Sequence, residues 1–254
     1  MALFEKSGNP ALQESIFQRT IPIASEGTMT FRGTMNKFIF VFLLTLCSAA
    51  YSWFTFERGG SIGGLMALGT LGGFALAIIM SFKMNWAQYL APAYGLCEGL
   101  FLGSISAYMN NLFAAKAPYL VAQAVLLTFG VVIAMWVLYR TQIIKVTNKL
   151  IRVIIGATLG IGVFYLLSMV LGFFHVNVPF ISFTDGSTLS IGFSLVVVAV
   201  AALNLLLDFD MIDKGSKFGS PKYMEWYGAF ALMVTIVWLY LEILRLLAKF
   251  NSRD

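Results

Sequence analysis

The stretch WYGAFALMVTIVWLYLEILRLL, residues 226–247, decides the fold of this chain. It is long enough to cross a bilayer, because a membrane helix needs about 20 apolar residues. It also contains an acid and a base, Glu242 and Arg245, and each ionisable residue inside a span costs roughly 2.5 to 3.5 kcal/mol on insertion scales. Their i to i+3 spacing places them on one helical face, so one interpretation is a local ion pair at the interfacial end of the helix.

The rest of the chain indicates a polytopic, all-α membrane protein. Of its 254 residues, 59% are hydrophobic and only 11% are charged, against about 25% charged in soluble domains. Residues 1–35 are predicted to form a cytoplasmic N-terminal tail, and residues 36–250 a seven-helix transmembrane domain. The predicted spans are 38–56, 61–82, 87–110, 117–139, 153–174, 189–211 and 226–247. We expect a monomeric bundle with the last helix central, because a lipid-facing helix would not need to bury Glu242 and Arg245.

The distribution of basic residues predicts the orientation. Twelve of the 17 lysines and arginines lie in the tail and in the second, fourth and sixth loops. Cytoplasmic loops carry an excess of such residues, so the N-terminus is predicted to be cytoplasmic and, with seven spans, the C-terminus outside. The other five are assigned to the opposite side: Arg58, Lys116, Arg245, Lys249 and Arg253.

Small residues at four-residue spacing predict helix contacts. In the third span the stripe consists of Ala91, Gly95, Gly99, Gly103 and Ala107, and around the second span the pairs are Gly59 with Gly63, Gly60 with Gly64, and Gly69 with Gly73. Such residues let a neighbouring backbone approach closely. We therefore expect the stripe of the third span to meet another helix, with Glu98 pointing inward beside it.

Several functional classes are not indicated. There is no Ser-His-Asp set and no HExxH helix, so no enzyme activity is predicted. The single histidine, His175, lacks partners at metal-ligand spacing, so no metal or other cofactor is predicted. Cys47 and Cys97 both lie inside predicted spans, which argues against a disulfide framework. The net charge of +5 is explained by loop orientation and does not indicate a nucleic-acid partner.

The ionisable residues of the spans are the candidate site. They are Glu98, Asp208, Asp210, Glu242 and Arg245. Acids within a membrane usually face a bundle interior or a watery cavity and mark ion pathways or proton relays. Burial raises the pKa of carboxylic acids in general, so buried acids can act as pH sensors. The simpler interpretation, which we favour for Asp210, is a carboxylate at the membrane boundary. Its hydrogen bonds would then be made with water, Lys214 or Lys217.

Several sequence words together resemble the Bax inhibitor family, also called the transmembrane Bax inhibitor motif family. They are NPAL (9–12), MTFRGTMNK (29–37), YGLCEGLFLGSIS (94–106), LLLDFDMID (205–213), PKYMEWYGAF (221–230) and LYLEILRLL (239–247). The resemblance covers most of the chain and is strongest to the bacterial branch with an extended N-terminal tail. It implies an inner-membrane protein of seven helices, in which two groups of three surround the last helix.

The resemblance also implies a pH-sensitive calcium leak, gated by a pair of acids on the sixth and seventh helices. Asp208 matches the sixth-helix aspartate of the family. For the seventh helix two matches remain open: the word LYLE selects Glu242, whereas counting without a gap selects Met233.

Two functions remain open from the sequence. The first is a leak or proton-coupled exchange that moves calcium ions and protons across the lipid membrane. The second is a non-transporting regulator that binds other membrane proteins, for which the resemblance suggests a membrane-anchored AAA protease. A water-filled path touching Glu98 and Asp208 would favour the first function, and a dry, well-packed core the second.

Overall fold

The computed structural model describes residues 27–174 and 182–253, and over these residues the protein is helical. Most of the predicted tail, the word NPAL at 9–12 and His175 therefore lie outside the described residues. Seven α-helices follow one another in the described part of the chain. They are α1 (Phe31–Glu57), α2 (Gly63–Phe82), α3 (Ala87–Leu112), α4 (Leu120–Arg140), α5 (Asn148–Phe173), α6 (Thr188–Lys217) and α7 (Met224–Asn251), with a short 3₁₀ turn at Met84–Trp86 before α3.

Each predicted span corresponds to one of these helices, and six of the helices are long and apolar enough to cross a membrane. The exception is α3, a helix of 26 residues that is not among the six. Its serines, glycines, tyrosines and asparagines lower its mean hydropathy relative to the neighbouring helices. By length alone α3 extends about 39 Å at 1.5 Å per residue.

The helix ends differ from the predicted boundaries for local reasons. Helix α1 begins at Phe31, inside the predicted tail, because the Thr30 side chain caps it by accepting a hydrogen bond from the Gly33 amide. Helix α6 continues to Lys217, beyond the predicted end at residue 211. Its last turns are supported by ion pairs at i,i+4 spacing, Asp210 with Lys214 at 2.7 Å and Asp213 with Lys217 at 2.6 Å.

The described chain divides into two compact units, the first comprising residues 27–112 and 210–234. Within this unit α3 packs against both α1 and α2. An isolated antiparallel bridge joins Thr28 to Pro221, and the Met29 amide donates a hydrogen bond of 2.6 Å to the Ser220 carbonyl. The segment before α1 is thereby tied to the segment before α7.

The glycine stripe of α3 meets α1, as predicted. A Cβ built on Gly95 would lie 2.9 Å from the Val41 side chain. One on Gly103 would lie 2.7 Å from the Cα of Ala49 and closer still to the Ala49 carbonyl oxygen. Gly99 lies against the backbone of Thr45 and the hydroxyl of Ser48. The two helices therefore approach so closely that a side chain larger than hydrogen does not fit between them.

The glycine pairs near α2 are only partly a packing motif. Gly69 and Gly73 do face α3, with a Cβ on Gly69 lying 2.6 Å from the Cys97 carbonyl. The prediction is wrong for Gly59 and Gly60, which precede α2, and nothing lies within 4 Å of a Cβ built on Gly64. Gly59 instead has a φ of +78° in the turn after α1, a conformation that glycine adopts without strain.

The second unit comprises residues 113–209 and 235–253. Two apolar clusters join α5 and α6, one around Ile154 and Leu207 and the other around Ile161 and Val197. The Asn204 amide also donates a hydrogen bond of 2.8 Å to the Thr158 hydroxyl. Apolar and polar contacts together fix the register of these two helices.

Candidate functional site

The acid and base of α7 form an ion pair that a tyrosine of α5 completes. An Arg245 nitrogen lies 2.8 Å from Glu242 Oε1, which confirms the local pair expected from their spacing. The Tyr165 hydroxyl donates to Glu242 Oε1 at 2.9 Å, and Arg245 donates to the Tyr165 oxygen at 2.6 Å. Since Glu242 is only 2% exposed, this network neutralises a carboxylate that is removed from solvent.

Two aromatic rings cover the Arg245 guanidinium. Its central carbon lies 5.2 Å from the centroid of Tyr165 and 5.2 Å from that of Phe183. Contacts of this kind stabilise a cation that has left water. Nothing in the sequence indicates Tyr165 or Phe183 as partners of Arg245, because one is a tyrosine in an apolar run and the other lies in a loop.

Lys249 is the second cation of α7, and the sequence interpretation missed it. It is one of the five basic residues that the predicted orientation assigns to the side opposite the N-terminus, but α7 continues to Asn251 and the lysine is fully buried. Its ammonium donates to the Ser194 hydroxyl at 2.9 Å and to the Ser190 carbonyl at 3.3 Å. Both serines belong to the first turns of α6, so the contact joins the end of one helix to the start of another.

The two aspartates of LLLDFDMID lie in different environments although only one residue, Phe209, lies between them. Asp208 is fully buried. The side chain of Asp210 is 14% exposed and pairs with Lys214 at 2.7 Å. The boundary role expected for Asp210 therefore agrees with its contacts, whereas the same simple interpretation does not describe Asp208.

Glu98 lies on α3 between α2 and a tyrosine of its own helix. Tyr94 donates a hydrogen bond to the Glu98 carboxylate. A Cβ built on Gly73 of α2 would lie 2.9 Å from Glu98 Oε2. Glu98 therefore lies at a contact of α3 with α2, whereas the glycine stripe, beside which it was predicted to point inward, faces α1.

Glu225, in the first turn of α7, is a buried acid that the sequence interpretation did not select. Its side chain is 0% exposed. Thr30 donates to it twice, from its amide and from its hydroxyl, each at 2.9 Å. Lys222 donates at 2.7 Å, and Lys37 forms a further ion pair with it. The carboxylate therefore holds the start of α1 beside the start of α7.

The residues of this contact lie in two of the sequence words that carry the family resemblance, MTFRGTMNK and PKYMEWYGAF. The sequence does not indicate that the two words meet in space.

Among the described residues, no group of three or more His, Cys, Asp or Glu side chains is arranged to hold a metal ion.

Comparison with known proteins gives one family. A comparison with curated proteins found no match. The family model described as Bax inhibitor 1 like matches residues 9–252, nearly the whole chain. The long apolar helices agree with this match, and they indicate an integral membrane protein. The chain belongs to the Bax inhibitor family.

Proposed function

We propose that the chain is a pH-sensitive leak channel for calcium or another cation, or a proton-coupled calcium transporter. The observation that carries this proposal is the complete burial of Asp208 on the apolar helix α6. A carboxylate within a membrane helix is costly and typically marks an ion pathway or a proton relay. The family resemblance supports the same conclusion, because it implies a gating aspartate at this position.

In this proposal Asp208 is the gate. When ionised it is held by hydrogen bonds or by a positive partner in the closed state, and protonation removes that attraction. Glu98 contributes a second carboxylate on α3. Glu242, bonded to Arg245 and Tyr165, takes part as a neutralised acid rather than as a free one. Asp210 has a minor role, since Lys214 already pairs with it.

We further propose seven membrane spans with α7 at the centre of the bundle. Support comes from burial: 67% of the apolar window of α7 is buried, against 50% for α6 and 17 to 22% for the other four candidate spans. The length of α3 supports a seventh crossing, because about 39 Å exceeds the roughly 30 Å of a hydrocarbon core. The distribution of basic residues supports a cytoplasmic N-terminus. The resemblance to the bacterial branch of the family supports a bacterial inner membrane, and we propose that the protein is a monomer there.

The test is calcium flux into liposomes that contain the purified protein, measured at two pH values. Asp208→Asn imitates the neutral acid, so it should change the flux and flatten its dependence on pH. Asp210→Asn is the matched control, an identical substitution two residues away, and it should change the flux much less. Glu242→Gln tests whether the acid of α7 takes part.

An unchanged pH dependence in folded Asp208→Asn protein would assign the gate elsewhere. Absence of flux from the wild type as well would favour the alternative, a non-transporting regulator that binds a membrane-anchored AAA protease. One feature that supported this alternative was the glycine stripe. Gly95, Gly99 and Gly103 pack against α1 of the same chain, so the stripe is occupied within the chain.

A further inference from the structure

Oxygen atoms of the kind that bind hard cations surround the ammonium of Lys249. Two of its contacts are with neutral oxygens, the main-chain carbonyl of Ser190 at 3.3 Å and the hydroxyl of Ser194 at 2.9 Å. Carbonyl and hydroxyl oxygens are neutral ligands that bind cations through their dipoles. The lysine is fully buried, so its ammonium has exchanged water for these oxygens.

A second observation at the same place is an unused hydroxyl. Ser190, which already supplies its carbonyl, is 0% exposed. Its Oγ has no hydrogen-bond partner among the described residues. A buried hydroxyl without a partner is unfavourable, so rotation of the Ser190 side chain toward a free ion would supply a further oxygen.

The charges around the site indicate which kind of cation fits. Arg245, Glu242 and Asp185 are charged groups that act on the Lys249 ammonium. The folded protein places a single positive charge at this position, and its buried surroundings accommodate that charge. A divalent ion there would leave an excess positive charge in a region removed from solvent, which is unfavourable.

We propose that Lys249 occupies a binding site for a monovalent cation, and that its ammonium is a tethered substitute for that ion. The site is formed by the first turns of α6 and the end of α7. It is separate from Asp208 and Glu98, and the proposal does not depend on whether the protein conducts calcium. The chemical class of the ligand is an alkali-metal cation, Na⁺ or K⁺.

The experiment replaces the ammonium and asks whether a free ion takes its place. Purified Lys249→Met protein in detergent is melted in NaCl, in KCl and in N-methylglucamine chloride, each at about 150 mM so that screening is equal. We expect Na⁺ or K⁺ to raise the apparent melting temperature of Lys249→Met by about 3 °C or more relative to N-methylglucamine, which is too large for the site.

Matched variants isolate the site. The wild type and Lys217→Met, which removes a lysine that is 70% exposed, should melt at the same temperature in all three salts. Adding Ser194→Ala to Lys249→Met removes one proposed ligand and should abolish most of the ion-dependent shift. Lys249→Gln is a second variant in which an amide retains hydrogen-bond donors for the two serines.

Three outcomes would overturn the proposal. The first is equal melting of folded Lys249→Met in all three salts. The second is stabilisation by CaCl₂ alone, which would contradict the assignment to a monovalent cation. The third is failure of both Lys249→Met and Lys249→Gln to fold even in NaCl and KCl, because a free ion is expected to replace the missing charge.

Discussion

A single methyl group at Gly103 tests the contact between α3 and α1. In Gly103→Ala the new Cβ would lie 2.7 Å from the Cα and the carbonyl carbon of Ala49, whereas ordinary contacts of a Cβ are 3.4–4 Å long. The obstacle is backbone, which no side-chain rotation can relieve. The carbonyl oxygen of Ala49 would lie closer still. One helix must therefore move by about 1 Å or more, or the helices must separate locally.

Two opposing contributions set the change in the free energy of unfolding of Gly103→Ala. Overpacking of this kind costs about 1–3 kcal/mol, and replacing a helical glycine by alanine returns about 0.5–1 kcal/mol through helix propensity. The net effect is a loss of about 0.5–2 kcal/mol. For a chain of this size this corresponds to a decrease of the apparent melting temperature by about 1–8 °C. Gly99→Leu, with a much larger side chain at the same interface, should be worse.

The assay is thermal melting of detergent-solubilised protein, followed by the amount that remains monodisperse. Gly156→Ala is the matched control, because nothing lies within 4 Å of a Cβ built on this glycine in the middle of α5. This control should leave stability unchanged or raise it slightly, since only helix propensity changes. If Gly103→Ala melted at or above the temperature of Gly156→Ala, the close contact of α3 with α1 would be refuted.

Two further predictions concern buried polar groups. Glu225→Gln leaves the charges of Lys37 and Lys222 without their carboxylate. Because both lysines are partly exposed, the free energy of unfolding should fall by about 1–3 kcal/mol, seen as a lower melting temperature in the same assay. Wild-type stability would show that the ion pairs are not formed in solution. Tyr165→Phe removes the hydroxyl that bridges the ion pair of α7 and should cost about 1–3 kcal/mol. Tyr119→Phe, at a site 72% exposed, is its control, and equal losses in the two variants would contradict the bridge.

The sequence predicted the helices because their formation is governed by local and one-dimensional information. An apolar run of about 20 residues must satisfy its own backbone hydrogen bonds in a membrane, so it forms a helix whatever its neighbours are. The stripe of Gly95, Gly99 and Gly103 likewise predicted a contact, since few other roles explain glycine at every fourth position. The pair of Glu242 and Arg245 followed from helical periodicity alone.

What the sequence could not supply was the identity of the partners. Glu225 and Lys37 are 188 residues apart, and Lys249 meets Ser190 across 59 residues. No periodicity links such positions, so the sequence indicates neither Glu225 nor Lys249 as a buried charge.

The sequence by itself thus determined that this protein is all-helical, that it belongs in a membrane, where its helices lie, and which acids are candidates for function. Only the tertiary structure decided which of those charged groups are buried and what neutralises them. The physical reason is that helix formation depends on each segment's own residues, whereas the burial of a charge depends on which other segment covers it.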